Sequence, residues 1–264
     1  MDLQLEGKTV FISGSTAGIG LYTAKTFLQE GAQVYINGRA ASTVDKAVLD
    51  LKATFPGAEV DGIVADFADA TAVDGLIRQL PHIDILVNNV GIYTAQSFFE
   101  TRDEDWQRQF EVNVMSGVRL ARHCLPKMLE KDWGRILFVS SECATLVPAD
   151  LIAYSTTKAA VLAISRGLAQ LTKGSKVTVN TVMPGSTMTA GAKNFLASIA
   201  EQENKTQAQA EVDFFREVRT SSLLQRFATE EEIANSIVYF SSPLAAATNG
   251  ATVKLDGGST GGII

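Results

Sequence analysis

The apolar positions of this chain alternate between short, nearly continuous runs and longer segments with helical spacing. Such runs are typical of parallel strands that are covered on both faces by helices. A repeated change from strand to helix predicts an α/β fold with a doubly wound sheet and right-handed crossovers. The predicted strands are KTVFIS (8–13), AQVYIN (32–37), VDGIVAD (60–66), IDILVNN (83–89), GRILFVSS (134–141), KVTVNTV (176–182) and ATVKLD (251–256).

One long segment interrupts this alternation. Between Pro184 and about residue 222 the pattern predicts no strand, and the stretches KNFLASIAEQENK and QAEVDFFREVR have an amphipathic helical character. An insertion of this length beside a strand end is more often functional than structureless. We therefore predict a helical substrate lid at about residues 186–222, with a surface excursion of no function as the alternative.

Composition and charge narrow the class of protein. The chain has 264 residues, of which 46% are hydrophobic, which is enough for one α/β core and does not require a second domain. The formal net charge of -6 and the lack of a basic run argue against a nucleic acid or a membrane as partner. No apolar run reaches the ~18 residues of a membrane span, and the first residues lack the pattern of a signal peptide. Since Cys124 and Cys143 lack metal-ligand spacing, we expect a cytoplasmic protein without a metal site.

A glycine-rich turn, SGSTAGIG (13–20), follows the first predicted strand and precedes a helix predicted for residues 18–30. Glycines let the backbone approach a pyrophosphate closely, and the helix start presents free N–H groups to it. No Gly-Lys-Ser/Thr sequence follows, so the turn is not a P-loop. The turn residues that we assign to a dinucleotide cofactor are Gly14, Ser15, Thr16, Gly18, Ile19 and Gly20.

The residues at the end of the second strand help to distinguish NAD(H) from NADP(H) as the cofactor. Folds that bind NAD usually have a carboxylate there for the ribose 2′-hydroxyl. Here the strand ends in Asn37, Gly38 and Arg39, and the guanidinium of Arg39 is suited to pair with a 2′-phosphate. The sequence therefore favours NADP(H) over NAD(H), with a solvated Arg39 as the alternative.

A tyrosine and a lysine lie four residues apart in AYSTTKAA (153–160), at the start of a segment with helical periodicity. On a helix, Tyr154 and Lys158 share one face. An ammonium close to a phenol favours the phenolate and lowers the pKa of the tyrosine, which prepares it for proton transfer. The spacing is common in helices, so a surface tyrosine beside a solvated lysine remains the alternative reading of this pair alone.

The motifs occur in a fixed order along the whole chain: SGSTAGIG, Asp66, NNVG (88–91), Asn113, Ser141, AYSTTK, MPG (183–185) and LDGG (255–258). In this order and register the chain resembles the short-chain dehydrogenase/reductase family. The resemblance implies a single Rossmann-like domain over residues 1–264 with a seven-stranded parallel sheet. It also implies a homo-oligomer, either a dimer or a tetramer.

The resemblance implies a catalytic tetrad of Asn113, Ser141, Tyr154 and Lys158. Ser141 precedes Tyr154 by thirteen positions, as is usual in the family, and its neighbour Ser140 is the competing candidate. The backbone carbonyl of Asn113, within a helix, would hold a water molecule of a proton relay. Lys158 would bind the nicotinamide ribose and, together with the positive ring of the oxidised cofactor, lower the pKa of Tyr154. Tyr154 and Lys158 are both assigned to the cofactor site as well.

The resemblance also assigns residues to the cofactor beyond the glycine turn. They would contact the adenine, flank the dinucleotide or hold the nicotinamide amide: Asp66, Phe67, Asn89, Gly91, Pro184, Gly185, Thr187 and Thr189. The chain departs from the family pattern at Val90, where alanine is usual, and at Ser13, where threonine is usual. The glycine turn also lacks the basic residue of many NADP-using relatives, which leaves Arg39 as the only basic residue assigned to a 2′-phosphate.

These residues predict an NADP(H)-dependent oxidoreductase that interconverts a carbonyl and a secondary alcohol, either a 3-oxoacyl-reductase-like enzyme or another ketone reductase. The alternatives are a non-catalytic cofactor sensor or scaffold on the same fold, an NAD-dependent alcohol dehydrogenase, and an epimerase or dehydratase relative. The small-molecule substrate stays open. The candidate pocket residues are Glu142, Thr145, Leu146, Val147 and Ile152, with Phe195, Phe214 and Phe215 of the lid as either pocket or packing residues.

Overall fold

A seven-stranded parallel sheet forms the centre of the protein, with the strand order β3-β2-β1-β4-β5-β6-β7. The computed structural model describes residues 1–262. The doubly wound α/β fold predicted from the periodicity is confirmed. The strands are β1 (Thr9–Ile12), β2 (Gln33–Gly38), β3 (Val60–Val64), β4 (Ile85–Asn88), β5 (Gly134–Val139), β6 (Val177–Pro184) and β7 (Thr252–Leu255).

Helices follow the strands and cover the sheet. A π-helical turn, Glu111–Met115, joins α4 to α5, and a short 3₁₀ turn, Pro243–Ala245, precedes β7. No helix within residues 1–262 is long and apolar enough to cross a membrane. The α-helices are α1 (Gly18–Gln29), α2 (Ala41–Thr54), α3 (Ala70–Gln79), α4 (Asp103–Phe110), α5 (Ser116–Glu130), α6 (Cys143–Leu146), α7 (Ile152–Leu171), α8 (Ala190–Gln202), α9 (Gln207–Glu217) and α10 (Glu230–Phe240).

The hydrophobic core lies in two layers, one on each face of the sheet. Alternate residues of β1 show the division: Val10 and Ile12 pack into one layer, and Phe11 packs into the other. In β4, Val87 and Leu86 divide in the same way. Because both faces are buried, these strands need apolar side chains at every position, which is why they appear in the sequence as continuous apolar runs.

The strand order reverses between β1 and β4, which are hydrogen-bonded neighbours although two strands separate them in the sequence. From β1 the chain builds outward to β2 and β3, and from β4 it builds outward in the other direction to β7. Such a reversal leaves a crevice outside the carboxyl ends of the two central strands, where ligands of open α/β sheets bind.

The segment that we predicted as a lid contains two helices, α8 and α9, whose N-caps Thr189 and Thr206 accept hydrogen bonds from the first turn. The two helices pack around a separate apolar cluster that includes Phe215, which is only 2% exposed, and Phe227. Phe215 is thus a packing residue, whereas Phe195 is 50% exposed. The sequence left open whether these phenylalanines line the pocket or serve in packing. Their different burial shows that Phe215 serves in packing and that Phe195 does not share that buried position.

Candidate active site

A cleft of about 420 Å³ opens at the carboxyl ends of the central strands, at the reversal between β1 and β4. Its wall includes the glycine turn, the end of β2, the residues after β3 and the loop after β4. Eight residues assigned to the cofactor do not line it: Ser15, Gly18, Gly20, Tyr154, Lys158, Pro184, Gly185 and Thr187. The assigned residues that do line it are Gly14, Thr16, Ile19, Asn37, Arg39, Asp66, Phe67, Asn89, Gly91 and Thr189.

The start of α1 is shaped to receive an anion. Helix α1 begins at Gly18, and its N-cap residue Ala17 offers no side-chain acceptor to the N–H groups of the first turn. Ala17 and Ile19 both line the cleft, and the first turn carries no acidic residue. These unpaired donors and the positive end of the helix dipole therefore face the space where a pyrophosphate would lie.

Hydrogen bonds from two asparagines fix the glycine turn. Asn37 Oδ1 accepts from the backbone N–H of Gly14 at 3.0 Å, and Asn89 Nδ2 donates to the carbonyls of Ser13 at 2.9 Å and Gly14 at 2.8 Å. A Cβ on Gly20 would lie 2.6 Å from both Asn89 Nδ2 and the Gly14 carbonyl oxygen. Gly20 is therefore required by the packing of α1 on the turn rather than by contact with a ligand.

Ser15 has a different role from the one predicted. Its hydroxyl donates to the carbonyl of Ile12 at 2.7 Å and accepts from the backbone N–H of Asn37 at 2.9 Å. Because the side chain is fully buried in these bonds, the structure does not bring it to the cleft as a hydroxyl donor. Ser15 instead joins the ends of β1 and β2 beneath the cleft.

Tyr154 and Lys158 lie on the first turns of α7, with the Lys158 Nζ 5.6 Å from the centroid of the Tyr154 ring. The Nζ donates to the carbonyl of Val139, the last residue of β5, at 2.8 Å. It also lies against Gly91, where a Cβ would be only 3.2 Å away. The buried ammonium is thus held at the junction of α7, β5 and the loop after β4.

The two adjacent serines after β5 have different surroundings. The Ser140 hydroxyl is buried and donates to the backbone carbonyl of Lys158 at 2.8 Å, so it fastens α7 to β5. Ser141 is half-buried, and its hydroxyl oxygen accepts from the backbone N–H of Cys143 at 3.2 Å, while no backbone carbonyl of residues 1–262 binds its proton. Of the two, only Ser141 has a hydroxyl that can still donate to a substrate.

Asn113 lies in the π-helical turn rather than in a regular helix. Its Oδ1 accepts from the backbone N–H of Ile92 at 2.7 Å, and its Nδ2 donates to the Ile92 carbonyl at 2.8 Å and to Thr157 Oγ1 at 2.9 Å. The side chain thus clamps the loop after β4 to α7, a role that the sequence did not indicate. Single π-helical turns of this kind occur frequently at functional sites.

The comparisons with known proteins agree with this geometry. The family model described as short chain dehydrogenase matches residues 8–200. The oxidoreductase YvaG of Bacillus subtilis is 44% identical over 258 residues, 98% of each chain, and D-beta-hydroxybutyrate dehydrogenase of Cupriavidus necator is 31% identical over 96% of this chain and 98% of the relative. The crystal structure of L-sorbose reductase from Gluconobacter frateurii, complexed with NADPH and L-sorbose, has a TM-score of 0.92 at 31% identity over 98% of each chain. The chain belongs to the short-chain dehydrogenase/reductase family.

The protein is accordingly an NAD(P)-dependent oxidoreductase of this family, as the resemblance implied.

A second positively charged side chain, which the sequence did not indicate, lines the cleft. Arg108 of α4 lines the cleft together with Arg39, so Arg39 is not the only basic residue near the cofactor site. No sequence signal marked Arg108, because its position depends on how α4 crosses the ends of the strands.

Burial, rather than the charge of Lys158, dominates the pKa of Tyr154 in this structure. The predicted lowering also depended on the positive ring of the oxidised nicotinamide, and it stays a prediction for the protein with its cofactor bound. The protein around the phenol desolvates the phenolate and raises the pKa of Tyr154, while the nearby Ser141 hydroxyl acts in the opposite direction. Burial lowers the pKa of Lys158 to about 8, so its ammonium still predominates at pH 7. This ammonium points to the Val139 carbonyl, and its charge does not outweigh the desolvation of the phenol.

Two further residues near Ser141 and Tyr154 differ from expectation. The ring of Tyr93 lies 5.7 Å from that of Tyr154 at an interplanar angle of 57° and is 65% exposed, a neighbour that no motif indicated. Glu142, which we proposed as a pocket residue, is buried and bonds to Arg219 and Ser186. Its carboxylate therefore does not belong to the substrate pocket.

We predict that Gly20→Ala destabilises the protein by about 1–3 kcal/mol, because the added methyl group overpacks the glycine turn. Gly167→Ala is the matched control, since it lies in α7 with no atom within 4 Å of the added methyl group. That change removes a glycine from a helix interior and should stabilise the protein by up to about 1 kcal/mol. Urea denaturation of both variants measures the difference, and equal free energies of unfolding would contradict the packing argument.

Proposed function

We propose that the protein is an NADP(H)-dependent oxidoreductase that interconverts a carbonyl group and a secondary alcohol. The observation that carries the proposal is the placement of Ser141, Tyr154 and Lys158 where α7 meets the end of β5, with Lys158 against Gly91, which lines the cleft. L-sorbose reductase and D-beta-hydroxybutyrate dehydrogenase are similar over nearly their whole length. Both names describe chemistry at a carbonyl or hydroxyl carbon.

The residues of the cleft fit a bound NADP(H). The open N-terminus of α1 suits the pyrophosphate, and we assign the adenine to Asp66 and Phe67, which also line the cleft. Arg39 and Arg108 offer two guanidinium groups to a 2′-phosphate, and no carboxylate follows β2 to select the 2′-hydroxyl of NAD. We assign the nicotinamide amide to the segment containing Pro184, Gly185, Thr187 and Thr189.

When bound, the nicotinamide supplies the hydride to the carbonyl carbon or accepts it from the alcohol carbon. In the reductive direction, Ser141 donates a hydrogen bond to the carbonyl oxygen and orients the substrate. Tyr154, whose raised pKa keeps the phenol protonated at neutral pH, transfers its proton to the same oxygen. Lys158 binds the ribose, and its ammonium stabilises the phenolate that remains.

The remaining proton path involves Asn113. We propose that its backbone carbonyl holds a water molecule through which Lys158 regains contact with bulk solvent. The side chain of Asn113 fixes that carbonyl by its three hydrogen bonds to Ile92 and Thr157. A water-mediated relay of this kind needs rigid acceptors, which a clamped π-helical turn supplies.

We further propose that residues 186–222 act as a lid over the substrate. Helix α8 adjoins the cleft through its N-cap Thr189, and α8 and α9 have a small apolar cluster of their own, so they can shift without disturbing the two core layers. The family resemblance supports a single domain over residues 1–264 that assembles as a cytoplasmic dimer or tetramer. A panel of carbonyl compounds would identify the substrate class.

We predict that Tyr154→Phe lowers kcat by at least about 100-fold with little change in the NADPH dissociation constant, because the variant lacks only the transferable proton. Tyr93→Phe is the matched control, since its ring adjoins the same site and should keep most of the activity. A panel of sugar, 3-oxoacyl, steroid and simple ketones with NADPH first identifies a substrate. Wild-type turnover in Tyr154→Phe would refute its role.

We predict that Arg39→Glu weakens NADPH binding at least about tenfold more than NADH binding, because only NADPH carries the 2′-phosphate. Arg78→Glu on α3 removes the same charge from an exposed position outside the cleft and should leave both affinities unchanged. Fluorescence titrations at one fixed salt concentration measure all three proteins. Equal losses for the two cofactors would instead favour an NAD-dependent alcohol dehydrogenase.

We predict that NADPH affinity falls as the pH rises through about 8, because Lys158 loses its charge there while arginines stay protonated. The sign follows from the lowered pKa: the ammonium is present below that value and absent above it. Lys158→Met should bind NADPH more weakly with little pH dependence between pH 7 and 9. A wild-type affinity that stays constant over this range would contradict the assignment.

A further inference from the structure

Glu142, the residue directly after Ser141, joins three separate segments. Its backbone N–H donates to the carbonyl of Pro184 at 2.9 Å, and its Oε1 accepts from Ser186 Oγ at 3.3 Å. The same oxygen accepts from the Nε of Arg219 at 2.9 Å. The side chain is buried, with a residue exposure of 3%. It therefore connects the serine loop to the nicotinamide turn and to the segment that follows α9.

The second carboxylate oxygen of Glu142 is buried without a hydrogen-bond partner in the described part of the chain. It faces Gly185, where a Cβ would lie only 2.8 Å away. A buried carboxylate oxygen without a donor is costly. Since the fold keeps this arrangement, the bonds of Oε1 to Arg219 and Ser186 are the interactions that hold the carboxylate in place.

Arg219 lies two residues beyond the end of α9 and is anchored to the proposed lid. Its backbone N–H donates to the carbonyl of Phe214 at 2.9 Å, and its guanidinium lies 5.8 Å from the centroid of the Phe214 ring. Phe214 packs at 5.1 Å from both Phe215 and Phe227 in the apolar cluster of the lid. A displacement of the lid cluster would therefore pull Arg219 away from Glu142.

This ion pair differs from the others on the same segment. The side chains of Arg219 and Glu142 are 16% and 4% exposed, whereas Arg216, which pairs with Asp213 and Glu217, is 65% exposed. Exposed pairs contribute little to stability. Loss of one partner from a buried pair leaves an uncompensated charge and is strongly unfavourable. Loss of the Glu142–Arg219 pair would therefore destabilise both the loop that follows Ser141 and the segment that follows α9.

We propose that Glu142 and Arg219 form a latch that couples the position of the lid to the geometry of Ser141 and of the nicotinamide turn. Neither residue contacts reacting atoms, so both are positioning residues. With the latch formed, Ser141 and Gly185 are held in register through Glu142 while the lid is held through Arg219. With the latch broken, the lid loosens and the Glu142 side chain loses its fixed position, so that the serine loop is joined to the Pro184–Ser186 turn by its backbone bond to Pro184 but no longer by a fixed carboxylate. The inference rests on the proposed function only for its kinetic consequences.

The first test measures lid motion without any activity. Hydrogen–deuterium exchange of the cofactor-free protein would compare wild type with Arg219→Met, Glu142→Gln and the control Arg216→Met. We expect exchange in α8 and α9 to rise at least about tenfold in Arg219→Met and Glu142→Gln and to stay unchanged in Arg216→Met. Wild-type exchange in the folded Arg219→Met and Glu142→Gln variants would overturn the latch.

The second test separates positioning from stability. With a substrate found for the wild type, kcat/KM should fall at least about tenfold in both single variants. The double variant should be no worse than the poorer single one, because it leaves no charge unpaired. Arg219→Lys, which keeps the charge, should recover part of the loss. Arg219→Met should change KM for the carbonyl substrate more than NADPH affinity, whereas Glu142→Gln should also weaken NADPH binding.

A lowered melting temperature with unchanged kcat/KM in both single variants would make the pair merely structural and would overturn the proposal. A wild-type protein that reduces no carbonyl would contradict the proposed function instead. The exchange experiment would still decide on the latch in that case. Different observations would therefore overturn the latch and the proposed function.

Discussion

The position of helix α7 on the end of strand β5 is the constraint on which the active site depends. Lys158 makes two bonds to this strand end: its Nζ donates to the Val139 carbonyl, and its own carbonyl accepts from the Ser140 hydroxyl. Both bonds are buried, where a hydrogen bond is strong and an unpaired group is costly. They set the distance between Tyr154, which lies on α7, and Ser141, which follows β5. A change in this junction would alter the substrate and cofactor sites together.

The fold could be predicted because parallel strands that are buried on both faces appear in the sequence as short, nearly continuous runs of apolar residues. Short β-rich runs, several of them nearly continuous in apolar residues, located all seven strands, and glycines at 14, 18 and 20 located the turn at the strand reversal. The ends of the strands were less certain. Strand β6 continues to Pro184, two residues further than predicted, because its pairing with β7 extends to Leu255. Backbone pairing at a strand end depends on the neighbouring strand, which local periodicity does not describe.

The site was predicted less completely, since its electrostatics depend on tertiary packing. The i, i+4 spacing placed Lys158 beside Tyr154, but it did not indicate that desolvation would outweigh the charge and raise the pKa of Tyr154. Arg108 and Tyr93 reach the site only because α4 and the loop after β4 fold over it. Glu142 was assigned to the pocket by its place between Ser141 and Tyr154, whereas its side chain turns inward to Arg219. Sequence proximity to a catalytic residue does not fix the direction of a side chain.

The π-helical turn at Glu111–Met115 constrains the length of the chain as well as its residues. A π-helical turn contains one residue more than the α-helix that it interrupts. Loss of one residue here would restore a regular helix and leave the flanking helices in register, because the π-helical turn absorbs its extra residue, but the side chains within the turn would change direction. Asn113 could not then face both Ile92 and Thr157. Within the family, this stretch should therefore tolerate substitutions far more readily than insertions or deletions, and an alignment gap in it would mark a member whose loop after β4 is held to α7 in another way.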